Sequence, residues 1–438
     1  MSEIVFNAAQ QAFHQGLLEH PNAPRYNFTS TDYLTHERLQ EVKRFEQSFS
    51  GATFWKEGAY PDWLSDFVAE VSRTVPFYRA WGAPPKTFEA TPTWGRDALK
   101  SEVRNLVPDH LPLEAMTVYT TSGTTGSTLP IPTHPNVSSY LLAVTEAYLR
   151  RSGVRYPRGS GNVAIALVGY QEKTLTYASL SSALNGAGFL KLNLTPHQWR
   201  SPEDRAAFLL DTAPGVITGA PYAFEKLAEI VPTLRPRALV SSAVALHPGH
   251  AKRLSETFAC PVFDLYSMSE CRGIAARHWQ EERFELLAPD LYVEVLGPND
   301  EPLPGGQVGE IVVTGGRNAY LPLLRYRTGD RAALTFENGQ PTLRNFEGRQ
   351  AVRLENAKGE VVPSLDVVHA LREFPLVGFS LEQKADRSLF LNFHGEADSR
   401  AMADRLEALF GRAVQLQRQD RWEGKPHRFR SQLEGPAF

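Results

Sequence analysis

The sequence predicts an α/β protein with a large N-terminal domain of layered sheets and helices and a small C-terminal α+β domain. Three observations carry this. From about residue 137 to 330, short β-rich runs alternate with stretches of helical spacing. After Asp330 the texture changes, to segments that read as a strand, a helix, a strand, a helix and a last strand. The 438 residues, 42% hydrophobic and 22% charged, suffice for a sizeable core and more than one domain.

Residues 33–110 read as helical and irregular. In "PDWLSDFVAEVSRTVPFY", Trp63, Leu64, Phe67, Val68 and Val71 recur at helical spacing, and Pro76 ends the run. The β-rich runs follow as "NVAIALVGY", "GFLKLNL", "GVITGA", "RALVSSA" and "PVFDLYS". Between them, "SPEDRAAFLLDTAP" predicts a helix capped by Ser201, with Pro202 at its first position. This alternation implies a largely parallel sheet, whose ligands gather beyond the carboxyl ends of the strands. In the last part, "ENAKGEVVPSLDVVHAL", "SLFLNFHG", "ADSRAMADRLEALFG" and "AVQLQRQ" predict strand, helix, strand, helix, strand, an order compatible with a ferredoxin-like unit. The expected division is 1–345 and 346–438, with the helical lead-in ending near 110.

A net charge of −3 and a pI near 6.5 leave no basic footprint for nucleic acid or an anionic membrane. No apolar run approaches 18 residues, and "MSEIVFNAAQQAFHQGLLEHP" lacks the basic and apolar regions of a leader, so a cytoplasmic protein is expected. Two cysteines, Cys260 and Cys271, are too few for a thiolate zinc site and read as inert. The twelve histidines show no metal spacing; His247, His250 and His278 read as surface or structural.

The chemistry is concentrated in "YTTSGTTGSTLP". Thr120 to Thr128 holds seven hydroxyl residues and two glycines, with no hydrophobe and no charge. Glycines let backbone N–H groups turn toward an anion, and the hydroxyls of Thr121, Ser122, Thr124 and Thr125 add donors. The composition suits phosphate, but the Gly-Lys-Ser/Thr of P-loop NTPases is missing.

Together with "DLYSMSE" (264–270) and "RYRTGD" (325–330), this segment resembles the adenylate-forming superfamily of acyl-CoA synthetases, in particular its phenylacetate-CoA ligase-like branch. "VPFYRAWG", "GEIVVTGGRNAYLPLLRYRTGD", "FEGR" (346–349) and "EGKPHR" (423–428) extend the likeness over roughly residues 62 to 430. The resemblance implies that Ser122, Gly123, Thr124, Thr125 and Gly126, with Thr121 before them, wrap the outer phosphates of ATP. It implies that Tyr266 stacks on adenine, with Asp264 and the backbone of Ser242 and Ala243 around the base. Glu270, with Ser269 beside it, would hold Mg²⁺; Asp330 would take the ribose hydroxyls; Arg349 would bind ribose or phosphate; Lys425 would be the catalytic cation on a small mobile domain. Where the family usually has a loop Lys this chain has Ser127, and Ser267 replaces a usual glycine.

Attack of a carboxylate on the α-phosphate brings anion to anion, so such a site needs metal, hydroxyls, dipoles and a cation rather than a nucleophile of its own. The expected function is ATP-dependent activation of a carboxylic acid, favoured as aromatic, to an acyl-adenylate and then a thioester with CoA. Tyr170, Tyr177, Gly188 and Phe189 are the expected acid-pocket residues. The alternatives are transfer to an amine or a carrier-protein thiol, or binding without turnover. Neither nucleic acid nor membrane is an expected partner, and a homodimer is left open.

Overall fold

The structure, a computed structural model, describes residues 4–48, 53–121, 129–348, 352–420 and 428–433. In the lead-in, the helix Ala8–Leu18 is capped by reciprocal bonds between Asn7 and Gln10. The helices His36–Ser48 and Leu64–Thr74 follow. Val71 enters a core cluster with Phe67 and Val68 packed against it. Pro76, which has no N–H to continue that helix, opens the single-turn helix Pro76–Arg79.

Strands β1 (Thr117–Thr121) and β2 (Leu129–Thr133) form a separate antiparallel pair with Thr121 opposite Leu129. The large sheet contains β3 (Val163–Gly169), β4 (Tyr177–Ser181), β5 (Ala187–Asn193), β6 (Val216–Gly219), β7 (Ala238–Ser241), β8 (Val262–Met268), β9 (Arg272–His278), β10 (Phe284–Leu286), β11 (Tyr292–Leu296), β12 (Val308–Gly315), β13 (Leu323–Glu337) and β14 (Gln340–Gly348). Its order is β11-β12-β13-β14-β10-β9-β8-β7-β6-β3-β5-β4.

Each of the five β-rich runs forms a strand, and β5, β3, β6, β7 and β8 are mutually parallel. The sheet as a whole is not largely parallel, because β4 and β9 to β14 all pair antiparallel. Residues 269–271, which join β8 to β9, are too few for the crossover a parallel pairing needs. A second correction concerns Ser201, which does not cap its helix: the helix runs Asp204–Thr212. Asp204 Oδ2 accepts from the Ser201 N–H at 2.9 Å, so this carboxylate closes the preceding turn and moves the start past Pro202.

The smaller sheet has the order β17-β16-β15-β18, from β15 (Leu376–Gln383), β16 (Leu389–Gly395), β17 (Val414–Arg418) and β18 (Phe429–Ser431). The helices Ser364–Leu371 and Ser399–Phe410 share its core through Val367, Leu371, Met402, Leu406 and Phe410. The strand expected near 355–362 is only a bridge between Glu355 and Val361. There the Asn356 side chain accepts from the N–H groups of Lys358 and Glu360, and Gly359 has φ 83°, which makes a tight turn. The strand β15 takes its place in the sheet, so the order becomes helix, strand, strand, helix, strand, strand.

The small unit meets the large one along the helices Pro221–Ile230 and Pro248–Phe258. A Cβ on Gly249 would stand 2.3 Å from the Phe374 carbonyl oxygen, so only glycine permits this approach. No helix among the described residues is long and apolar enough to cross a membrane.

Candidate active site

Where the loop after β7, the carboxyl half of β8 and the middle of β13 converge, they enclose a cleft of about 1280 Å³. Its floor is apolar, with Leu142, Ile165, Phe189, Val216 and Val240, and the small unit contributes Phe379 and Arg428 opposite. Ser242, Ala243, Asp264, Tyr266, Ser269, Glu270 and Asp330, drawn from three separate sequence motifs, all line it.

The polar groups are held in pairs. Tyr266 donates its hydroxyl to Asp330 Oδ2 at 3.0 Å, and its ring meets Phe346 edge-on at 4.6 Å. Burial and then the Asp330 charge hold the Tyr266 hydroxyl far above its ordinary pKa, so it stays a donor. Asp264 faces Arg277 across the β8–β9 register, and Arg277 Nη2 donates to Asp264 Oδ2 at 3.1 Å. Burial pushes the Asp264 carboxyl up, and Arg277 opposes that shift.

Glu270 is buried at 3% exposure, and its Oε1 accepts from the Tyr326 hydroxyl at 3.0 Å. Asn318 Nδ2 donates to the Glu270 and Pro132 carbonyls at 3.2 and 2.8 Å, tying the β8–β9 turn to β2. Asp330 follows Gly329, whose φ of 79° needs glycine, and donates its N–H to Thr328 Oγ1 at 3.0 Å. The loop after β7 is anchored by the Ser242 N–H on the Gly219 carbonyl at 3.0 Å, and Ala243 has φ 73°.

Thr121 ends β1. Ser122, Gly123, Thr124, Thr125, Gly126, Arg349 and Lys425 lie outside the described residues. Three of the expected acid-pocket residues do not line the cleft. Tyr170 packs on the other apolar cluster beneath Lys226, whose Nζ is 5.7 Å from its ring. Tyr177 is on β4, the edge strand, stacked on Phe189 at 6.3 Å. Gly188 lies under the amino-terminal helix, where a Cβ would meet Leu17 at 3.2 Å. Low-propensity "YASLSSALNGAG" forms edge strand and turn instead of pocket wall. Phe189 alone of that group reaches the cleft.

Sequence reasoning missed Arg272, Arg277, Phe346 and Arg428, all cleft residues. Arg277 stands thirteen positions beyond its partner Asp264, a cross-strand pairing that no short motif reveals. Arg428 lies 4.5 Å over the Phe379 ring, and burial, then Arg277, lowers its pKa to about 10. His247 also lines the cleft, buried; desolvation first, then Arg428, lowers its pKa and keeps it neutral. Cys271 is 1% exposed, and burial pushes its thiol up to about 12, which fits an inert residue.

A mixed sheet of this size, with a smaller α+β unit set over a cleft at the end of its parallel strands, is the architecture of the adenylate-forming enzymes. The chain belongs to the AMP-binding enzyme family, whose profile matches residues 71–319. It is 27% identical over 302 residues to a phenylacetate-coenzyme A ligase of Thermus thermophilus, a match covering 63% of this chain and 64% of that relative, just under two thirds of its length. Among solved structures, a 2-hydroxyisobutyryl-CoA ligase in the postadenylation state, in complex with R3-HIB-AMP, superposes with a TM-score of 0.59 at 16% identity, covering 90% of this chain and 88% of the other. The amide bond synthetase McbA of Marinactinospora thermotolerans gives 0.51 at 17%, covering 72% and 68%. At such identities the structural likeness is one of fold.

Proposed function

We propose that the protein uses ATP to convert a carboxylic acid, favoured as aromatic, into an acyl-adenylate and then transfers the acyl group to the thiol of CoA. One observation carries the reading: Asp264, Tyr266, Glu270 and Asp330, with the Ser242–Ala243 backbone, come together in one cleft from distant motifs. In this reading Tyr266 and the Ser242–Ala243 backbone flank the adenine, beside Asp264. Asp330, oriented by the Tyr266 hydroxyl, accepts from the vicinal ribose hydroxyls. The apolar floor around Leu142, Ile165, Phe189 and Val240 takes the body of the acid.

Mg²⁺ suits the residues present. Among the described residues no group of three or more His, Cys, Asp or Glu could cage a metal, whereas Glu270 gives one buried carboxylate, the pattern of an ion held by one or two carboxylates plus substrate phosphates. Glu270, with Ser269 beside it, would hold the ion, which when bound offsets phosphate charge. Tyr326 fixes the Glu270 carboxylate. Arg349, Lys425, Thr121 and residues 122–126 keep their expected roles: phosphate wrapping for 121–126, ribose or phosphate binding for Arg349, and transition-state charge stabilisation for Lys425. The same reading treats the unit beyond about residue 346 as the part that moves between the two half-reactions.

The test is pyrophosphate release from ATP with a panel of acids, followed by product mass with CoA, an amine or a carrier thiol supplied. Glu270→Gln keeps an oxygen for Tyr326 but removes the charge, so adenylation should fall about 10²- to 10³-fold with the thermal midpoint unchanged. Undiminished activity at limiting Mg²⁺ would overturn the metal assignment.

A further inference from the structure

The arginines lining the cleft differ in one respect. Arg277 is paired with Asp264, Arg327 with Asp300 and Glu310, Arg344 with Glu337 and Arg372 with Glu282, whereas Arg96, Arg428 and Arg272 have no ion pair among the described residues. Arg272 is the first residue of β9, and its buried Nε has no hydrogen-bond partner among the described residues. Its guanidinium lies 4.9 Å over the ring of Tyr119 on β1. Its backbone has φ 66°, a conformation that costs a non-glycine residue roughly 1–2 kcal/mol. A half-buried cation with no ion pair among the described residues, held on a strained backbone at the lining of a cleft, is matched when an anion enters.

The neighbours select the anion. Arg272 stands two positions beyond Glu270 and stacks on the strand that leads into the Ser/Thr/Gly segment, while Thr120, Glu270 and Arg272 all line the cleft. From Tyr119 to Thr133 the sequence contains no Lys or Arg, so phosphate at this end of the cleft obtains no cation from β1, β2 or their connection.

We propose that Arg272 binds the outer phosphates of ATP and the pyrophosphate that departs, replacing the cation absent from the 119–133 segment; this rests on the function proposed above. In the step concerned, a carboxylate oxygen of the acid bonds to the α-phosphorus and the bond from that phosphorus to the bridging oxygen breaks. Pyrophosphate leaves with the electron pair. Arg272 offsets the charge gathering on it, while its planar face rests on Tyr119.

The experiment measures calorimetric binding of ATP, inorganic pyrophosphate and AMP, each with Mg²⁺, to the full chain and to Arg272→Gly and Arg272→Lys. Glycine accepts the left-handed backbone, so Arg272→Gly should keep or raise the thermal midpoint. It should weaken ATP and pyrophosphate by about ten- to a hundredfold, the range for losing a hydrogen bond to a charged group, and leave AMP unchanged. Arg272→Lys should fall between. Equal weakening of AMP, unchanged ATP affinity, or a loss confined to the acid would overturn the assignment. If the wild type releases no pyrophosphate with any acid while Arg272→Gly still loses ATP selectively, the catalytic reading falls and the phosphate site stands.

Discussion

The two halves of the large sheet both bury apolar clusters but differ in the charges they bury with them. The parallel half, β5-β3-β6-β7-β8, buries Leu190, Leu192, Ile217, Leu239 and Val262 in an apolar cluster. In the antiparallel half, arginine side chains reach 0% exposure: Arg317 grips Asp290 at 2.8 and 2.6 Å, and Arg325 pairs with Glu294 at 3.2 Å. Correspondingly, at the cleft the strand β7 and its loop offer backbone, at Ser242 and Ala243, while the turn after β8 and the strand β13 offer the carboxylates Glu270 and Asp330. The contrast teaches that apolar packing sets the frame here, while tyrosine hydroxyls and one buried ion pair hold the carboxylates that line the cleft.

The largest expected effect tests that division directly. Asp290→Ala leaves the Arg317 guanidinium buried without a counter-charge, at a cost of about 3 kcal/mol, low in the range for broken buried pairs because Asp290 is 23% exposed. Arg317 also donates to the carbonyls of Cys271 and Gly273, so Mg·ATP binding should fall with stability. Ile217→Val in the other half should cost about 1 kcal/mol and leave ATP affinity untouched. Denaturant midpoints with parallel binding titrations decide it, and equal behaviour of the two variants would break the contrast.

A smaller effect sharpens it. Ala243 holds φ 73° in the loop after β7, so Ala243→Gly should stabilise by up to about 1 kcal/mol, read as a raised thermal midpoint. A loss would mean that its methyl group is packed too well to spare.

The smallest concerns the contact between the two units. His394 Nε2 lies 2.5 Å from Glu225 Oε2, with His250, Arg253 and Lys226 nearby and the Gln419 carbonyl on the other ring nitrogen. The bond to Glu225 raises the His394 pKa above the ordinary 6.5, and although burial pushes Glu225 up, His394 and its neighbours hold it below the carboxylate range. The contact therefore contributes fully below pH 6.5 and fades as pH rises through the raised imidazole value. It fades again in acid, once pH drops through the lowered Glu225 value. A His394→Gln variant should remove that alkaline loss, worth less than about 1 kcal/mol; an unchanged pH profile would locate the titration elsewhere.

The same division explains what could be read in the sequence. Continuous apolar runs such as "NVAIALVGY" announce β3, β5, β6, β7 and β8, because a strand covered on both faces carries hydrophobes at every position. In the antiparallel half, strands such as β13 are obscured by charges such as Arg325, which looks solvent-facing until its partner Glu294 on β11 is known. Asp264, Tyr266, Glu270 and Asp330 were legible because each sits in a short local motif; Arg272 and Arg277 were not, since one depends on a strand over a hundred and fifty positions earlier and the other on register. β15 alternates plainly, with Val377, Phe379 and Leu381 buried and Gly378, Ser380 and Glu382 between them, so its pattern was legible and was passed over.

Both cysteines are buried, Cys260 at 6% and Cys271 at 1%, and the sequence has no third. The surface is thus blank to thiol-directed reagents under native conditions. A single cysteine introduced at exposed Ala408 on the small unit and another at exposed Ala9 on the large one would take a donor and an acceptor dye without background. The molecule comes ready for a measurement of the distance between the two units with and without added ATP.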